Sequence, residues 1–310
     1  MVMKIPVIYI AGWGRSGSTL LGNMLGSIEG LQHIGEIPCI WEHAWKYNHL
    51  CGCGRKLREC DFWNKVIETA YGKWENVDPD EMIEIRNRYL FSTRKAIIDL
   101  IKNKKLKNQE KYYLDYMKKL YKAVFNVTKG KVIIDSSKYP YHLFLLNKID
   151  EVKLYLIHLI RDARGCSYSW NKSVIRKDFD YDKDIPFEKM SPFYSTSRWI
   201  VWNVFMDLFK YASKVSYISV KYEILARDPI NILNKIADLV GFEVPWREND
   251  EIYISKNHTV WGNPSRMRTG KVEIRLDDAW RRNMPLKDRL LVTALSWPWL
   301  LKYGYLGKTT

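Results

Sequence analysis

The sequence predicts an α/β protein with a central parallel sheet flanked by helices. Four short apolar segments, rich in β-branched residues, have the length of buried strands; they are residues 5–11, 132–134, 154–160 and 215–220. Helical segments lie between the strands, and polar residues follow the carboxyl end of each strand. Strands that alternate with helices favour a parallel sheet, and such sheets bind ligands at the carboxyl edge.

The helices are predicted from the periodicity of apolar residues. The first, at residues 18–28, follows the first strand through a loop rich in glycine and serine. Four more are expected at residues 79–104, 109–127, 193–212 and 230–240, and Gly241 is a typical C-terminal cap for the last of them. Because no repeat or low-complexity linker divides the chain, we expect one domain over residues 1–310 with a mainly helical insertion at about 39–129.

The net charge of +15 comes from 50 Lys and Arg against 35 Asp and Glu, and it favours an anionic partner. The basic residues are spread along the chain, with no basic tail or arginine-rich arm, so a nucleic-acid partner is not expected. No signal peptide is visible, and the apolar run at residues 7–11 is too short to span a bilayer. We therefore expect a cytoplasmic protein with no membrane span.

The loop from Gly12 to Thr19 has the composition of an anion-binding site. Its glycines allow unusual dihedral angles, its hydroxyls donate hydrogen bonds, Arg15 supplies a cation, and the following helix adds its positive end. In nucleotide triphosphatases the corresponding loop ends in Gly-Lys-Ser/Thr, which binds magnesium. Here the basic residue precedes Gly17 by two positions and no Gly-Lys-Ser/Thr is present. An ordinary glycine turn is the alternative interpretation.

Arg161 and Ser169 indicate a second anion site. Arg161 follows the strand at residues 154–160, and Ser169 lies eight residues further along. If a helix starts near Asp162, Ser169 lies about two turns along it, and an arginine and a hydroxyl can then converge on one anionic group. The alternative is a surface ion pair of Arg161 with Asp162, which would stabilise the protein little.

These two motifs resemble those of sulfotransferases that use 3′-phosphoadenosine 5′-phosphosulfate (PAPS). The order Arg-Ser-Gly-Ser at residues 15–18, and Arg161-Asp162-Ala163-Arg164 with Ser169, are similar to motifs of the carbohydrate and tyrosylprotein enzymes. Ala163 replaces the usual proline, which removes no hydrogen-bond donor. The resemblance spans residues 5 to about 282. It implies the P-loop nucleotide-binding-like sulfotransferase fold, with PAPS as co-substrate and 3′-phosphoadenosine 5′-phosphate (PAP) as product.

The resemblance also implies which residues bind the nucleotide. The phosphosulfate would be held by Gly14, Arg15, Ser16, Gly17, Ser18, Thr19 and Leu20, and the 3′-phosphate by Arg161 and Ser169. Tyr222, in a segment similar to the Tyr-Glu-Asp-Leu of the family, would lie beside the adenine; a tyrosine packed under the sheet edge is the alternative. A late basic loop, similar to the one that closes over the 3′-phosphate, offers Arg266, Arg268, Gly270 and Lys271.

Sulfuryl transfer needs a base for the acceptor and a cation for the leaving nucleotide. Glu36, after Gly35, resembles the carboxylate base of these enzymes, and His33 is the rival base. Lys138 resembles the lysine that approaches the bridging oxygen, and Arg15 could share in neutralising the transferred group. This chemistry requires no metal, and we expect no metal ligands in the catalytic site.

Four of the five cysteines lie between Cys39 and Cys60. Cys51, Cys53 and Cys60, with His49 and Cys39 nearby, are the one candidate metal site, although the spacing Cys-x-Cys is not that of the usual zinc knuckle. A disulfide and plain reduced thiols are the alternatives, and the sequence leaves all three open.

The acceptor is expected to be a hydroxyl or amine of a small molecule, a glycan or a lipid-like compound. Aromatic residues that could shape its pocket are Trp41, Trp45, Tyr47, Trp63, Trp74 and those of segment 194–202. Two other classes of protein are considered. A P-loop kinase or nucleotide triphosphatase would need a magnesium-binding carboxylate such as Asp135, and a non-enzymatic nucleotide- or RNA-binding protein would not need Glu36 or Lys138.

Overall fold

Strands and helices alternate along the chain in the computed structural model, which describes residues 4–90, 92–172, 175–176, 185–186, 188–247 and 250–307. The strands are β1 (Ile5–Ala11), β2 (Leu31–Gly35), β3 (Val132–Lys138), β4 (Val152–Ile160), β5 (Ile175–Arg176), β6 (Ile185–Pro186), β7 (Ser216–Lys221), β8 (Tyr253–Ile254) and β9 (Gly270–Lys271). The α-helices are α1 (Ser18–Gly26), α2 (Asp61–Tyr71), α3 (Pro79–Tyr89), α4 (Thr93–Ile101), α5 (Asn108–Val127), α6 (Pro140–Leu146), α7 (Ala163–Asn171), α8 (Pro192–Ala212), α9 (Tyr222–Arg227), α10 (Pro229–Val240), α11 (Trp280–Asn283) and α12 (Leu286–Lys302). Within the described residues, no helix combines the length and the apolar character that crossing a membrane requires.

Five of the strands form one parallel sheet in the order β2-β3-β1-β4-β7. Strand β1 is central, with Val7 opposite Ile133 of β3 and opposite Leu154 of β4. The chain crosses over β1 between β3 and β4, so the end of β1 lies between the ends of two strands that run in the same direction. After β1 the chain continues toward β2, whereas after β4 it continues toward β7, on the other side of β1. Where consecutive connections leave the sheet in opposite directions, a crevice for a ligand opens at the carboxyl edge. The predicted α/β class with a central parallel sheet is confirmed.

Both faces of the central strand β1 are buried, and its alternate residues face opposite sides of the sheet. Val7 and Tyr9 belong to a core that includes residues of the helices α5, α6 and α8. Ile8 and Ile10 belong to a second core, formed with α1 and α10. A strand covered on both faces needs apolar side chains on both, which explains why residues 5–11 form a continuous apolar run.

The segment between β2 and β3 carries the helices α2 to α5. The predicted single helix at residues 79–104 is wrong, because α3 ends at Tyr89 and α4 begins at Thr93; residue 91 between them lies outside the described residues. The side chain of Ser92 accepts a hydrogen bond from the Lys95 amide at 3.2 Å and caps the new helix. The serine hydroxyl pairs with an amide that the start of a helix leaves without a partner, so it favours a new helix here over the continuation of α3.

Strand β2 is the member of the sheet that the sequence analysis did not predict. It has five residues, pairs with β3 alone and ends at Gly35, whose φ of 81° turns the chain out of the sheet. Glu36 therefore emerges at the same carboxyl edge as the residues that follow the other four strands.

Candidate active site

A cavity of about 700 Å³ opens at the carboxyl edge of the sheet. Each strand of the parallel sheet is followed by a residue that lines it: Trp13 after β1, Glu36 after β2, Lys138 at the end of β3, Arg161 after β4 and Tyr222 after β7. The residues come from distant parts of the chain, and the parallel arrangement of the strands brings them together.

The loop between β1 and α1 forms one side of the cavity. Its lining residues are those predicted for the phosphosulfate, namely Gly14, Arg15, Gly17, Ser18, Thr19 and Leu20. Ser16 is the exception, because its buried hydroxyl donates to the Trp13 carbonyl at 2.6 Å and closes the loop on itself. Gly17 has a φ of 91°, and a Cβ there would lie 2.7 Å from the Tyr222 ring. Glycine is therefore required at position 17 both for its backbone angle and for the space beside Tyr222.

Arg161 braces the predicted 3′-phosphate side of the cavity. Its guanidinium donates to the Arg15 carbonyl at 2.9 Å and to the Asp277 carboxylate at 3.0 Å, and it lies 4.4 Å from the centre of the Tyr222 ring. Burial disfavours the charge of Asp277, but Arg161 and Lys172 together with the Ala279 amide lower the pKa of this carboxyl overall. Ser169, on α7, lines the same cavity. Both members of the predicted pair therefore line one cavity, and the Asp277 carboxylate orients the arginine.

Glu36 and Lys138 form an ion pair in the cavity wall. Lys138 Nζ lies 2.5 Å from Glu36 Oε1, and the side chains are 14% and 11% exposed, respectively. The Glu36 amide donates to the Trp261 carbonyl at 3.3 Å, and Trp202 Nε1 donates to the Lys138 carbonyl at 2.9 Å. Lys138 has a φ of 70°, in the left-handed region that costs energy for any residue other than glycine. Strain of this kind persists where the surrounding structure imposes it, and it is common at functional sites.

Gly262 lies close to both Glu36 of the ion pair and Thr19 of the loop between β1 and α1. A Cβ at this position would lie 3.5 Å from Glu36 Oε1 and 3.8 Å from Thr19 Oγ1. The carboxylate and the hydroxyl therefore face the same small space, which only a residue without a side chain leaves open. The arrangement can place a proton acceptor next to the end of an anion-binding loop.

Tryptophans form another wall of the cavity. Trp13 makes an edge contact with Trp202 at 4.9 Å between ring centres, and it also contacts Trp170 at 5.7 Å. Arg15 lies over the Trp170 ring, and Arg198 lies over the Trp202 ring. Of these, Arg198 and Trp202 fall in the segment 194–202 that the sequence analysis singled out. Trp170 was missed, although it directly follows Ser169 on α7.

The late basic loop lies differently from its prediction. The guanidinium of Arg266 is buried and donates to the Thr259 carbonyl at 3.1 Å and the Leu50 carbonyl at 2.8 Å. Arg268 is exposed, and Lys271 pairs with Glu251 at the surface beside Gly270 in β9. Within the described residues, the late loop contributes none of Arg266, Arg268, Gly270 or Lys271 to the cavity lining. The neighbouring segment does contribute Trp261, Gly262, Asn263 and Ser265, which the sequence analysis missed.

The rival base His33 lies in the interior. Its ring nitrogens are 3.1 Å from Asn23 Oδ1 and 3.0 Å from Ser136 Oγ. Burial lowers the pKa of His33 to about 3, so the ring is neutral, and both of its nitrogens already have hydrogen-bond partners.

The tryptophans of the insertion are also absent from the described cavity lining; Trp41 and Trp63, for example, are fully buried in the core.

Three of the predicted cysteines are gathered at a second place in the fold. The side chains of Cys51, Cys53 and Cys60 meet His258, a residue that the sequence analysis did not include. Cys39 and His49 lie elsewhere, the first beside Tyr139 and the second beside His43. His49 and Cys39, which the sequence analysis noted as nearby, are therefore not members of this group.

The parallel sheet, the glycine-rich loop after its central strand and the cavity at its carboxyl edge together define an α/β protein of the P-loop-like class. The chain belongs to the Sulfotransferase family, whose model matches residues 6–248. This membership confirms the predicted family and supports an enzyme that transfers sulfuryl groups. No curated protein matches the chain significantly.

The solved structures that the chain matches include two sulfotransferase domains and one sulfotransferase. The domain from the Synechococcus PCC 7002 olefin synthase is 21% identical, with a TM-score of 0.51 over 96% of this chain and 95% of that one. The domain from the curacin biosynthetic pathway is 14% identical, with a TM-score of 0.47 over 94% and 96%. The sulfotransferase STF9 from Mycobacterium avium is 12% identical, with a TM-score of 0.48 over 97% and 77%. The first of these likenesses shows a shared fold.

Proposed function

We propose that this protein transfers a sulfuryl group from PAPS to a hydroxyl or amine of a small-molecule, carbohydrate or lipid-like acceptor. The observation that carries the proposal is the composition of one cavity. It combines the loop around Arg15, the separate pair Arg161 and Ser169, and the ion pair of Glu36 with Lys138.

The cavity suits a nucleotide with anionic groups at two ends. Arg15 and the amides and hydroxyls of the loop would bind the 5′-phosphosulfate at the positive end of α1. Arg161 and Ser169 would bind the 3′-phosphate, with the Tyr222 ring beside the adenine. Asp277 and the Arg15 carbonyl orient the Arg161 guanidinium, so less conformational entropy is lost when an anion binds.

The ion pair suggests how base and cation act together. Glu36 would accept the proton of the acceptor as its oxygen or nitrogen bonds to sulfur, while the bond from sulfur to the bridging oxygen breaks. Lys138 would stabilise the negative charge that develops on the released phosphate. As Lys138 turns toward that charge it would leave Glu36, and the carboxylate would then be free to accept the hydrogen of the acceptor.

The acceptor would bind along the tryptophan wall. Trp202 contacts Trp13 and holds the Lys138 carbonyl, so this wall adjoins the proposed reacting groups. Aromatic faces bind sugars and apolar chains alike. A screen of acceptors with labelled PAPS, grouped as sugars, phenols, aliphatic alcohols and amines, would identify the class.

A magnesium-dependent kinase is disfavoured by the position of Asp135. This carboxylate is fully buried, accepts hydrogen bonds from Tyr121 and Ser137, and lies 3.2 Å from His142 Nε2. The side chain is committed to the interior, where a hydrated magnesium ion beside a triphosphate would not reach it.

Thermal denaturation with nucleotides tests the donor. PAP without magnesium should raise the melting temperature, because a ligand that binds only the folded state stabilises it. ATP with magnesium should have little effect, since it lacks the 3′-phosphate. Stabilisation by ATP and magnesium, with none by PAP, would contradict the proposal.

A further inference from the structure

A four-residue cluster lies outside the proposed catalytic cavity. The ligand atoms of Cys51, Cys53, Cys60 and His258 all lie within 4.8 Å of one another. The Cys53 and Cys60 sulfurs are 3.7 Å apart, and His258 Nδ1 lies 3.2 Å from the Cys60 sulfur and 3.9 Å from the Cys51 sulfur. Three sulfurs and one imidazole nitrogen thus point at a common centre.

The distances fit one metal with its preferred geometry. Zinc binds sulfur at about 2.3 Å and imidazole nitrogen at about 2.0 Å, which places tetrahedral sulfurs about 3.8 Å apart and sulfur and nitrogen about 3.5 Å apart. The observed separations scatter around these values, so a zinc ion fits with small side-chain adjustments. A disulfide would use two of the four groups and leave the third cysteine and the histidine unexplained.

We propose that Cys51, Cys53, Cys60 and His258 bind a structural zinc ion. Three thiolates and one imidazole complete a tetrahedral zinc site, and such closed sites act in folding because they leave no position for a substrate. Soft sulfur ligands also disfavour magnesium and calcium, which prefer oxygen.

The local backbone holds the cysteines in place. The Gly54 amide donates to the Cys51 carbonyl at 2.9 Å, and the Cys51 amide donates to the Arg55 carbonyl at 2.8 Å. Cys60 directly precedes α2, whose first residues include Phe62 and Trp63. These contacts and the start of α2 therefore present the three sulfurs to one side.

Residues of the cysteine segment and of α2 hold His258 in place. Trp63 Nε1 donates to the His258 carbonyl at 2.8 Å, and the Phe62 ring stacks on the imidazole with 4.7 Å between centres. The Gly52 amide donates to the Thr259 carbonyl at 2.9 Å. These contacts join segments about 200 residues apart in sequence, a separation that makes a cross-link effective.

The site would fasten the helical insertion to the wall of the catalytic cavity. The residues directly after His258 run beside β2, where the Val260 amide donates to the Ile34 carbonyl at 3.0 Å and Trp261 accepts from the Glu36 amide. Trp261 and Gly262 then line the cavity. Zinc would thereby hold the strand that presents Glu36 and the segment that covers it.

Metal analysis of the wild-type protein is the primary test. Protein purified with reductant and without chelator should contain about one zinc ion per chain, as measured by inductively coupled plasma mass spectrometry. The metal-free protein should bind one equivalent of cobalt(II) and develop the thiolate charge-transfer absorption of a tetrahedral site. Protein that holds no metal and takes up none when zinc is added to the reduced chain would overturn the proposal. So would an intact mass lower by two hydrogens, which would indicate a Cys53–Cys60 disulfide.

Matched variants separate the cluster from other cysteines and histidines. Cys60→Ser and His258→Gln should retain less than about a tenth of the wild-type zinc, whereas Cys39→Ser and His49→Gln should retain it. Equal zinc in the two sets would contradict the assignment. If the cluster variants do not fold, thiol titration of the wild type decides the question, because a chelator should expose three further reactive thiols. Zinc content is measured without nucleotide or acceptor, so its result is independent of the proposed sulfuryl transfer.

Discussion

Lys138 Nζ and Glu36 Oε1 lie 2.5 Å apart at the ends of β3 and β2, two neighbouring strands of the parallel sheet. The two residues are about a hundred positions apart in sequence, and the sheet fixes their separation. Because both side chains are mostly buried, removing either one leaves the other as a buried charge without its partner, which destabilises the fold.

Glu36→Gln should abolish most turnover and leave nucleotide binding intact. The amide cannot accept the acceptor proton at neutral pH, and loss of a positioned base typically costs about 10²–10⁴-fold in kcat. Steady-state kinetics with labelled PAPS and calorimetric titration with PAP measure the two effects. Turnover near that of the wild type would remove Glu36 from the role of base.

Arg161→Ala should weaken binding of PAP by about 10- to 100-fold, because a hydrogen-bonded charge contributes about 1.5–3 kcal/mol. Binding of 5′-AMP, which has no 3′-phosphate, should change little. Arg164→Ala is the matched control, since Arg164 lies three residues after Arg161, in the first turn of α7, but pairs with Asp162. An equal loss of affinity for PAP and 5′-AMP would indicate that Arg161 merely supports the loop through the Arg15 carbonyl.

Arg266→Ala should destabilise the protein without changing PAP affinity. The substitution removes the arginine donor from the buried carbonyls of Leu50 and Thr259. The Thr259 carbonyl keeps the Gly52 amide as a donor, so the loss at Leu50 dominates and costs about 1–3 kcal/mol. The exposed Arg268 provides the comparison, and Arg268→Ala should alter stability by less than about 0.5 kcal/mol. Chemical denaturation and PAP titration of both variants test this. Reduced PAP affinity with unchanged stability of the Arg266 variant would restore the original anion-binding prediction.

His33 should make the protein less stable in mild acid. Burial lowers its pKa to about 3, whereas an unfolded histidine has a pKa of about 6.5. Below pH of about 6.5 the unfolded chain takes up a proton that the folded chain refuses, so stability falls as the pH falls. For His33 alone the loss at pH 5 is about 2 kcal/mol. Urea denaturation at pH 7 and pH 5 should show a smaller difference for His33→Gln than for the wild type; an identical difference would contradict the prediction.

The fold and the glycine-rich loop after β1 could be predicted because their signals are local. A buried strand, a glycine-rich turn and an amphipathic helix occupy consecutive residues, so the segment from Ile5 to Gly26 reveals itself in the sequence. Glu36, Lys138 and Arg161 could be proposed for a related reason: each follows an apolar run, and parallel strands share one functional edge.

The rest depends on contacts between distant segments. An arginine in a basic loop has the same local pattern whether it faces an anion or, like Arg266, two buried carbonyls. His258 has no neighbouring metal ligand in sequence, and its partners in space lie about 200 residues earlier. The helix break before Thr93 depends on one capping hydroxyl, that of Ser92, and the periodicity of apolar residues does not reveal such a cap.

The contacts of Arg161 have a mechanical consequence. This one side chain touches the phosphate loop, the helix after β7 and the segment that carries Asp277, each from a different region of the chain. A ligand held by Arg161 and its neighbours would be a non-covalent cross-link among those regions. Binding of this ligand should therefore protect all three regions from proteolysis together.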